Sequence, residues 1–466
     1  MTLRTLVQLA LILPVLSPTF ESPARADTLD DTVHRVMQSA HIPGVAVAVM
    51  SHGRVTRLSS YGRASLEYDA PVTASTPFEI ASAGKIYTAV LLMRLVDSHK
   101  IELDAPASRY VSGLPAAWQA ITIRNLATHM SGLGAADIRP NTVDTLDAVK
   151  QAFSVKVVSP PGRKTDYAGF DYTLLQLVLE TVGGKPFAKL VHDEVVEPAG
   201  LQCTAFDNAR DLGPQRVADP IPGRADYYRW VDGANQRRWF MYAKYAYAAG
   251  GVYSCAADMA RLLARIDAGG LLSPSSRAAL ETPTALPDGG TADFAVGWAT
   301  GLYRGHRWVG HSGGPAFADV MDFPDDHVGI VVFTNQQKLS PRLAALVADR
   351  FIKAPPGYFA PHLVDDAPAL TQAARQILAG AAAGKVPANL FAADIGQDFL
   401  DDLNDVGPVW VGLFGHLDHL NLETDTVAAD GSRTRHYRAI FGSHGVGFDF
   451  GFDASGHVIS VNSGGD

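Results

Sequence analysis

The sequence predicts an α/β protein of the α+β kind. A central antiparallel sheet is flanked by helices, a helical insert forms a second subdomain, and a small α+β module follows. Three observations carry this. Strand-like runs stand near both ends of the first 353 residues, with helical patterns between them. Ala354-Pro355-Pro356-Gly357 opens a linker over 354–366. Residues 367–466 then carry helix and strand patterns of their own.

Residues 1–26 read as a secretory signal. Arg4 precedes an apolar stretch from Leu6 to Leu16, and Ala24-Arg25-Ala26 is an A-x-A cleavage site, so the mature chain is expected to begin at Asp27. The apolar stretch is shorter than the ~20 residues a membrane span needs. Thr28 to Ala40 has a helical apolar face of Leu29, Val33, Val36 and Met37. Val45 to Met50 is a continuous apolar strand, turning at Ser51-His52-Gly53 into a second. Ile86 to His99 is helical, and residues 104–290 alternate short helices with Gly/Pro-punctuated loops. Phe294–Leu302, Arg307–Gly310, Ala316–Phe323 and Val328–Thr334 read as successive antiparallel strands, and Leu343–Ile352 as a helix. In the last module, Ala367–Ala383 and Ile395–Leu403 read as helices. Val409–Phe414, His436–Phe441, Val446–Phe452 and His457–Val461 read as strands.

Composition limits function. With 47% hydrophobic and 19% charged residues, the 466-residue chain is globular. Its formal charge of −9 becomes −10 when Arg4, Arg25 and Glu21 leave with the signal. That balance argues against nucleic-acid binding, which needs basic patches. No later apolar run approaches spanning length. Cys203 and Cys255, the only two cysteines, exclude a disulfide framework. In an exported chain they either form one bridge or sit as two buried thiols.

Chemistry concentrates in Ser82-Ala83-Gly84-Lys85, an S-x-x-K pair opening the helix that runs to His99. Spacing i, i+3 brings both side chains to one helical face. A serine hydroxyl needs a neighbouring base, and a desolvated lysine can serve as one. The pair gains weight from further segments: Ile121-Thr122-Ile123-Arg124-Asn125-Leu126-Ala127-Thr128-His129-Met130-Ser131-Gly132, then Tyr167-Ala168-Gly169-Phe170-Asp171-Tyr172, Glu197-Pro198-Ala199-Gly200-Leu201, Ala249-Gly250-Gly251-Val252 and Gly310-His311-Ser312-Gly313-Gly314-Pro315-Ala316-Phe317.

In this order the segments resemble the serine β-lactamase and penicillin-binding-protein superfamily over about residues 28–352. The similarity is greatest to class C β-lactamases and to their esterase and D-amino-acid peptidase relatives. The resemblance implies that Ser82 is the acylated nucleophile, Lys85 its general-base partner, and Tyr167 the tyrosine of a Y-x-N motif that moves protons to the leaving group. His311-Ser312-Gly313 falls where many relatives have K-T-G, and the N–H groups of Ser82 and Gly314 would form the oxyanion hole. Two positions depart from the pattern. The Asn of Y-x-N is Gly169, and the Lys of K-T-G is His311, a weaker partner for a substrate carboxylate. Both departures favour the esterase or peptidase branches over β-lactamase or D-Ala-D-Ala carboxypeptidase activity. They also leave room for a non-catalytic relative binding peptidoglycan or a protein partner. The expectation is a secreted or periplasmic serine hydrolase acting through an acyl-enzyme on esters, amides or D-amino-acid peptides. It takes a small-molecule or peptide substrate and needs no metal or organic cofactor.

Other residues are set aside. Gly310 to Gly314 also fits G-x-S-x-G, but that motif needs a following helix, and a strand pattern follows. Ser312 is therefore assigned to the lining of the substrate site. His129 is read as support beneath the site, Tyr172 as helix packing and Asp325-Asp326 as a hairpin turn. His416 and His419 lack an apparent third ligand. The C-terminal module shows no nucleophile–base arrangement, and a partner for it stays open.

Overall fold

The computed structural model describes residues 28–139, 142–212, 215–238, 242–314, 318–336, 343–360, 363–442 and 444–463. The expected signal 1–26 lies outside the described residues, as do Pro315, Ala316 and Phe317 of the His311 segment.

The run Gly44–Ser51 is apolar at nearly every position because both its faces are covered. It pairs antiparallel with Val328–Thr334 on one side and Arg54–Ser65 on the other. These strands form the middle of a seven-stranded sheet whose order is 299–303, 306–313, 318–323, 328–334, 44–51, 54–65 and 70–71. The sheet thus joins the two ends of the first unit. Side chains alternate across it. Ala46, Ala48 and Met50 enter the large core under helices Lys85–Asp97 and Ala256–Asp267. Val45, Val47 and Val49 enter a second core with helices Thr28–Ser39 and Leu343–Ala348.

The insert packs its helices on the first core. Ile123–Ala127 begins with a capping box between Thr122 and Asn125. Gly169–Gly183, with Tyr172, Leu174, Leu175, Val178 and Leu179 buried, is its longest helix. Phe78–Glu79 joins Val252–Ser254 and Ala205–Phe206 in a small three-stranded sheet. Cys203 and Cys255 are bonded beside it, their Cα atoms 5.9 Å apart.

The C-terminal residues form helices Pro368–Ala382 and Gln397–Phe414 and a four-stranded meander of His419–Val427, Arg433–Phe441, His444–Phe452 and Val458–Ser463. Phe448, Phe450, Phe452, Tyr437 and Ile377 centre their core. Helix Gln397–Phe414 also touches Thr28–Ser39, where Gly412 meets Ser39 and Leu413 joins the second core. His444 and Tyr303 both bond Asp349, tying the two parts together again.

Several element boundaries differ from the sequence reading. Val409–Phe414 is the end of a helix, not a strand, despite Pro408 within it. The helix lies between two cores, so apolar residues occupy two of its faces and mask the 3.6-residue period. Gly407 permits this: a Cβ there would lie 2.0 Å from the Ala381 backbone. Strand His419–Val427 was not expected, because after Leu420 and Leu422 a bulge interrupts the pairing and Glu423–Thr426 are all polar. The strand expected over Phe294–Leu302 runs over Ala299–Tyr303, with Phe294 in an isolated bridge to Ala299, and the Leu343 helix stops at Ala348.

The disulfide closes 52 residues of sequence. Its loss should therefore destabilise the chain by about 2–5 kcal/mol. Thermal unfolding of Cys203→Ser/Cys255→Ser, or of wild type in dithiothreitol, should show a midpoint several degrees lower. An unchanged midpoint would mean that packing alone holds this corner.

Candidate active site

The turn that carries Ser82 is built under constraint. Ser82 lies in a 3₁₀ turn, Ala81–Gly84, and not in the α-helix itself, which starts at Lys85 and ends at Asp97. Ala81 is held at φ +45°, a conformation L-residues rarely adopt. Strand His306–Gly313 closes against this turn: a Cβ on Gly313 would stand 2.0 Å from the Ile80 carbonyl oxygen. Only glycine allows that approach, which packs Gly313 on the turn that carries Ser82.

Lys85 is 1% exposed at the start of its helix. Its Nζ lies 3.2 Å from Ser82 Oγ, 2.8 Å from Tyr167 OH and 2.7 Å from the Ala249 carbonyl oxygen. Tyr167 OH is 2.9 Å from Ser82 Oγ, closing a triangle of three exchangeable groups. Burial in the core pushes the Lys85 amine down to about 7. The Tyr167 phenol is raised, chiefly by desolvation and against a lowering bond to Ser82. Half of the tyrosine ring faces the cleft while its hydroxyl points into the triangle. Near neutrality the lysine therefore gives up its proton before the tyrosine does.

Tyr167 is fixed from below. The backbone N–H groups of Asp166 and Ala168, on either side of it, donate to the His129 carbonyl (2.7 Å) and His129 Nδ1 (3.3 Å). The His129 ring centroid is 4.3 Å from that of Tyr167. His129, buried and at φ +55°, is held neutral by desolvation and by the Lys85 charge, so its Nδ1 can accept. Asp171 Oδ2 sits 3.3 Å from the same Nδ1 and its Oδ1 accepts from Ser131 at 2.5 Å. Burial raises Asp171 to about 8, so the carboxyl is mostly protonated at pH 7 and can donate. With the imidazole neutral, the contact between them is not an ion pair.

The remaining residues singled out from sequence gather around this triangle. His311 is buried, with its ring 6.0 Å from Tyr167 and its Nδ1 donating to the Ser312 carbonyl at 2.6 Å. Ser312 is exposed, and after the undescribed residues the chain returns as strand Ala318–Phe323, so no strand-to-helix elbow forms there. Gly169 opens its helix at the cleft wall, and a Cβ on it would meet nothing within 4 Å. Tyr172 packs in its helix and donates to the Ala127 carbonyl. Asp325 and Asp326 bond Arg307 and His306 at a hairpin. His419 opens a strand of the C-terminal meander. Sequence reasoning missed the Ala249 carbonyl, although Ala249-Gly250-Gly251 was among the segments noted, and it missed Asp171 as the partner of His129.

A cleft of about 630 Å³ lies over Ser82 and Lys85. Its walls come from 133–138, 166–173 and 242–249.

Comparisons with known proteins agree with this architecture. The chain is 27% identical over 276 residues to the teichoic acid D-alanine hydrolase of Staphylococcus aureus, which covers 58% of this chain and 64% of that protein, just under two thirds of its length. In three dimensions it resembles the octameric penicillin-binding protein homologue from Pyrococcus abyssi (TM-score 0.59, 19% identity, 91% of this chain and 90% of that one). It also resembles the D-amino acid amidase from Ochrobactrum anthropi SV3 in complex with D-phenylalanine (TM-score 0.55, 21% identity, 68% and 96%). The Beta-lactamase family model matches residues 29–352, and the chain belongs to that family.

Proposed function

We propose that the protein is an exported serine hydrolase that works through a covalent acyl-enzyme on esters, amides or D-amino-acid peptides. The observation that carries this is the buried Lys85 amine within hydrogen-bond reach of both Ser82 and Tyr167. As a neutral amine, Lys85 takes the Ser82 proton while Oγ attacks the substrate carbonyl. Tyr167 donates its proton to the departing oxygen or nitrogen and is reprotonated by the Lys85 ammonium 2.8 Å away. The acyl group is then on Ser82 Oγ. Water attacks it, losing a proton to the same pair, which returns a proton to Ser82 Oγ as the C–Oγ bond breaks and the carboxylic acid departs. The N–H groups of Ser82 and Gly314 hold the oxyanion, a role supported by the packing of Gly313 on the Ile80 carbonyl.

Export is supported by the Cys203–Cys255 bond, since disulfides persist in oxidising compartments. The ester and peptide reading is placed ahead of β-lactam hydrolysis because Gly169 leaves empty the space where Y-x-N enzymes hold an amide-orienting Asn. The similarities to a D-amino acid amidase and to a teichoic acid D-alanine hydrolase support a hydrolase acting on D-amino-acid derivatives.

Intact-mass measurement tests export and acylation together. Secreted protein should start at Asp27 and gain one fluorophosphonate adduct, which Ser82→Ala abolishes; labelling of Ser82→Ala at the wild-type rate would exclude the mechanism. Tyr167→Phe should slow ester turnover by roughly 10²–10⁴-fold. The kcat/KM profile should rise with pH through about 7 as Lys85 deprotonates.

Lys85 also predicts a stability profile. Between about 7 and the ordinary lysine value of 10.5, the unfolded chain holds a proton the folded chain lacks. Stability therefore rises with pH across that window, and the full penalty of burial applies below it. Lys85→Met lacks this slope. Its advantage over wild type in chemical denaturation should shrink by a few kcal/mol between pH 7 and pH 10; a constant gap would show that burial does not perturb the amine.

Gly169→Asn should be accommodated without a clash. By restoring one amide contact it should raise nitrocefin turnover relative to p-nitrophenyl acetate by about tenfold. No change in the ratio would count against the orienting role of that position.

A further inference from the structure

Charge is unevenly distributed in the cleft. Among the described residues lining it, Lys85 and Asp166 are the charged ones. Lys85 is buried and already faces Ser82, Tyr167 and the Ala249 carbonyl, so it cannot reach out to a substrate carboxylate. Asp166 is the opposite case. Its side chain is 54% exposed at the cleft wall, while its backbone N–H is anchored on the His129 carbonyl. Its charged partner, Lys164, is 3.7 Å away and 60% exposed. A pair of that kind contributes little and exchanges readily.

The surroundings favour a cation beside the Asp166 carboxylate. Leu133, Ala136, Ile138 and Phe170 make the wall apolar, which lowers the local dielectric. Tyr242 and Tyr245 add aromatic faces of the kind that attract cations. Gly169, three residues on, leaves the wall open beside it. The whole chain carries the same sign, with a formal charge of −9.

We propose that Asp166 is a specificity residue that receives an ammonium group of the substrate, so that the preferred acyl donors are amine-bearing esters and amides and carboxylate-bearing ones are disfavoured. This rests on the hydrolase reading above and deepens it. It names the substrate class by charge and assigns a role to a residue outside the Ser82–Lys85–Tyr167 triangle.

Three p-nitrophenyl esters of similar length separate the outcomes at pH 7: the 4-aminobutyrate (cationic), the butyrate (neutral) and the hemisuccinate (anionic). Wild type should show kcat/KM about tenfold or more higher for the cationic than for the anionic ester, mainly through KM, and 0.5 M salt should compress the ratio. Asp166→Asn should bring the ratio to within about twofold of unity, and Asp166→Lys should invert it. Equal rates in wild type, or a ratio unmoved in Asp166→Asn, would overturn the proposal while leaving Ser82-dependent hydrolysis intact. Absence of Ser82-dependent hydrolysis of any ester would instead overturn the hydrolase reading. In that event calorimetric binding of 4-aminobutyramide and succinamate to Ser82→Ala decides the charge preference. Tighter binding of the amine supports it, and equal or reversed affinities refute it.

Discussion

The structure depends most on keeping the amine of Lys85 in the core. Moving a lysine from about 10.5 to about 7 corresponds to several kcal/mol against the charged form. A single hydrogen bond returns about 1 kcal/mol. The amine is therefore sustained by its setting: helix Lys85–Asp97, buried along nearly its whole length between the sheet and the insert. The Ala249 carbonyl holds one N–H whichever way the proton moves, leaving the other positions on nitrogen to Ser82 and Tyr167. A nitrogen so placed needs little reorganisation to lose or gain a proton.

The same reasoning extends one layer down. A charged group beneath Tyr167 would bias the phenol directly. Instead the structure places a neutral His129 there and a largely protonated Asp171 behind it, locked by Ser131. Ser131 donates to Asp171, and Ala168 N–H donates to the His129 Nδ1, so the layer holds together without net charge. Tyr167 is then positioned by backbone bonds on both sides and by ring contact, and its acidity is set mainly by desolvation, against the bond to Ser82. Strain at Ala81 and His129, both non-glycine residues at positive φ, falls on the two turns that deliver Ser82 and support Tyr167.

Much of this was legible in the sequence, for identifiable reasons. The Val45–Met50 run is so continuously apolar that it had to be covered on both sides, and S-x-x-K at a helix start constrains two side chains to one face. Motif order brought in Tyr167 and His311 from far along the chain. What was not legible came from tertiary contact. The carbonyl of Ala249 acts through its backbone, which no side-chain pattern records. The helix through Val409–Phe414 was hidden because it faces two cores at once, and strand His419–Val427 because a bulge breaks its alternation. The 3₁₀ turn that carries Ser82 stands where Gly313 packs on Ile80, a contact between segments more than 200 residues apart.

The separation of chemistry from selectivity follows from where the walls originate. Ser82 and Lys85 stand at the junction between sheet and insert, held by strands from both ends of the first unit. The cleft above them takes its described lining from 133–138, 166–173 and 242–249, all within the insert, and none from residues 363–463. The C-terminal helix Gln397–Phe414 instead packs on Thr28–Ser39, across the sheet from the first core. Strand Gly44–Ser51 lies between, its alternate side chains shared by the two cores. Close packing on both faces leaves that strand little freedom, so a change in the cleft loops can alter which substrate is admitted without disturbing the Lys85 setting. The cleft walls are thus insert loops, Asp166, Tyr167 and Gly169 among them, while Ser82 and Lys85 rest on the core beneath.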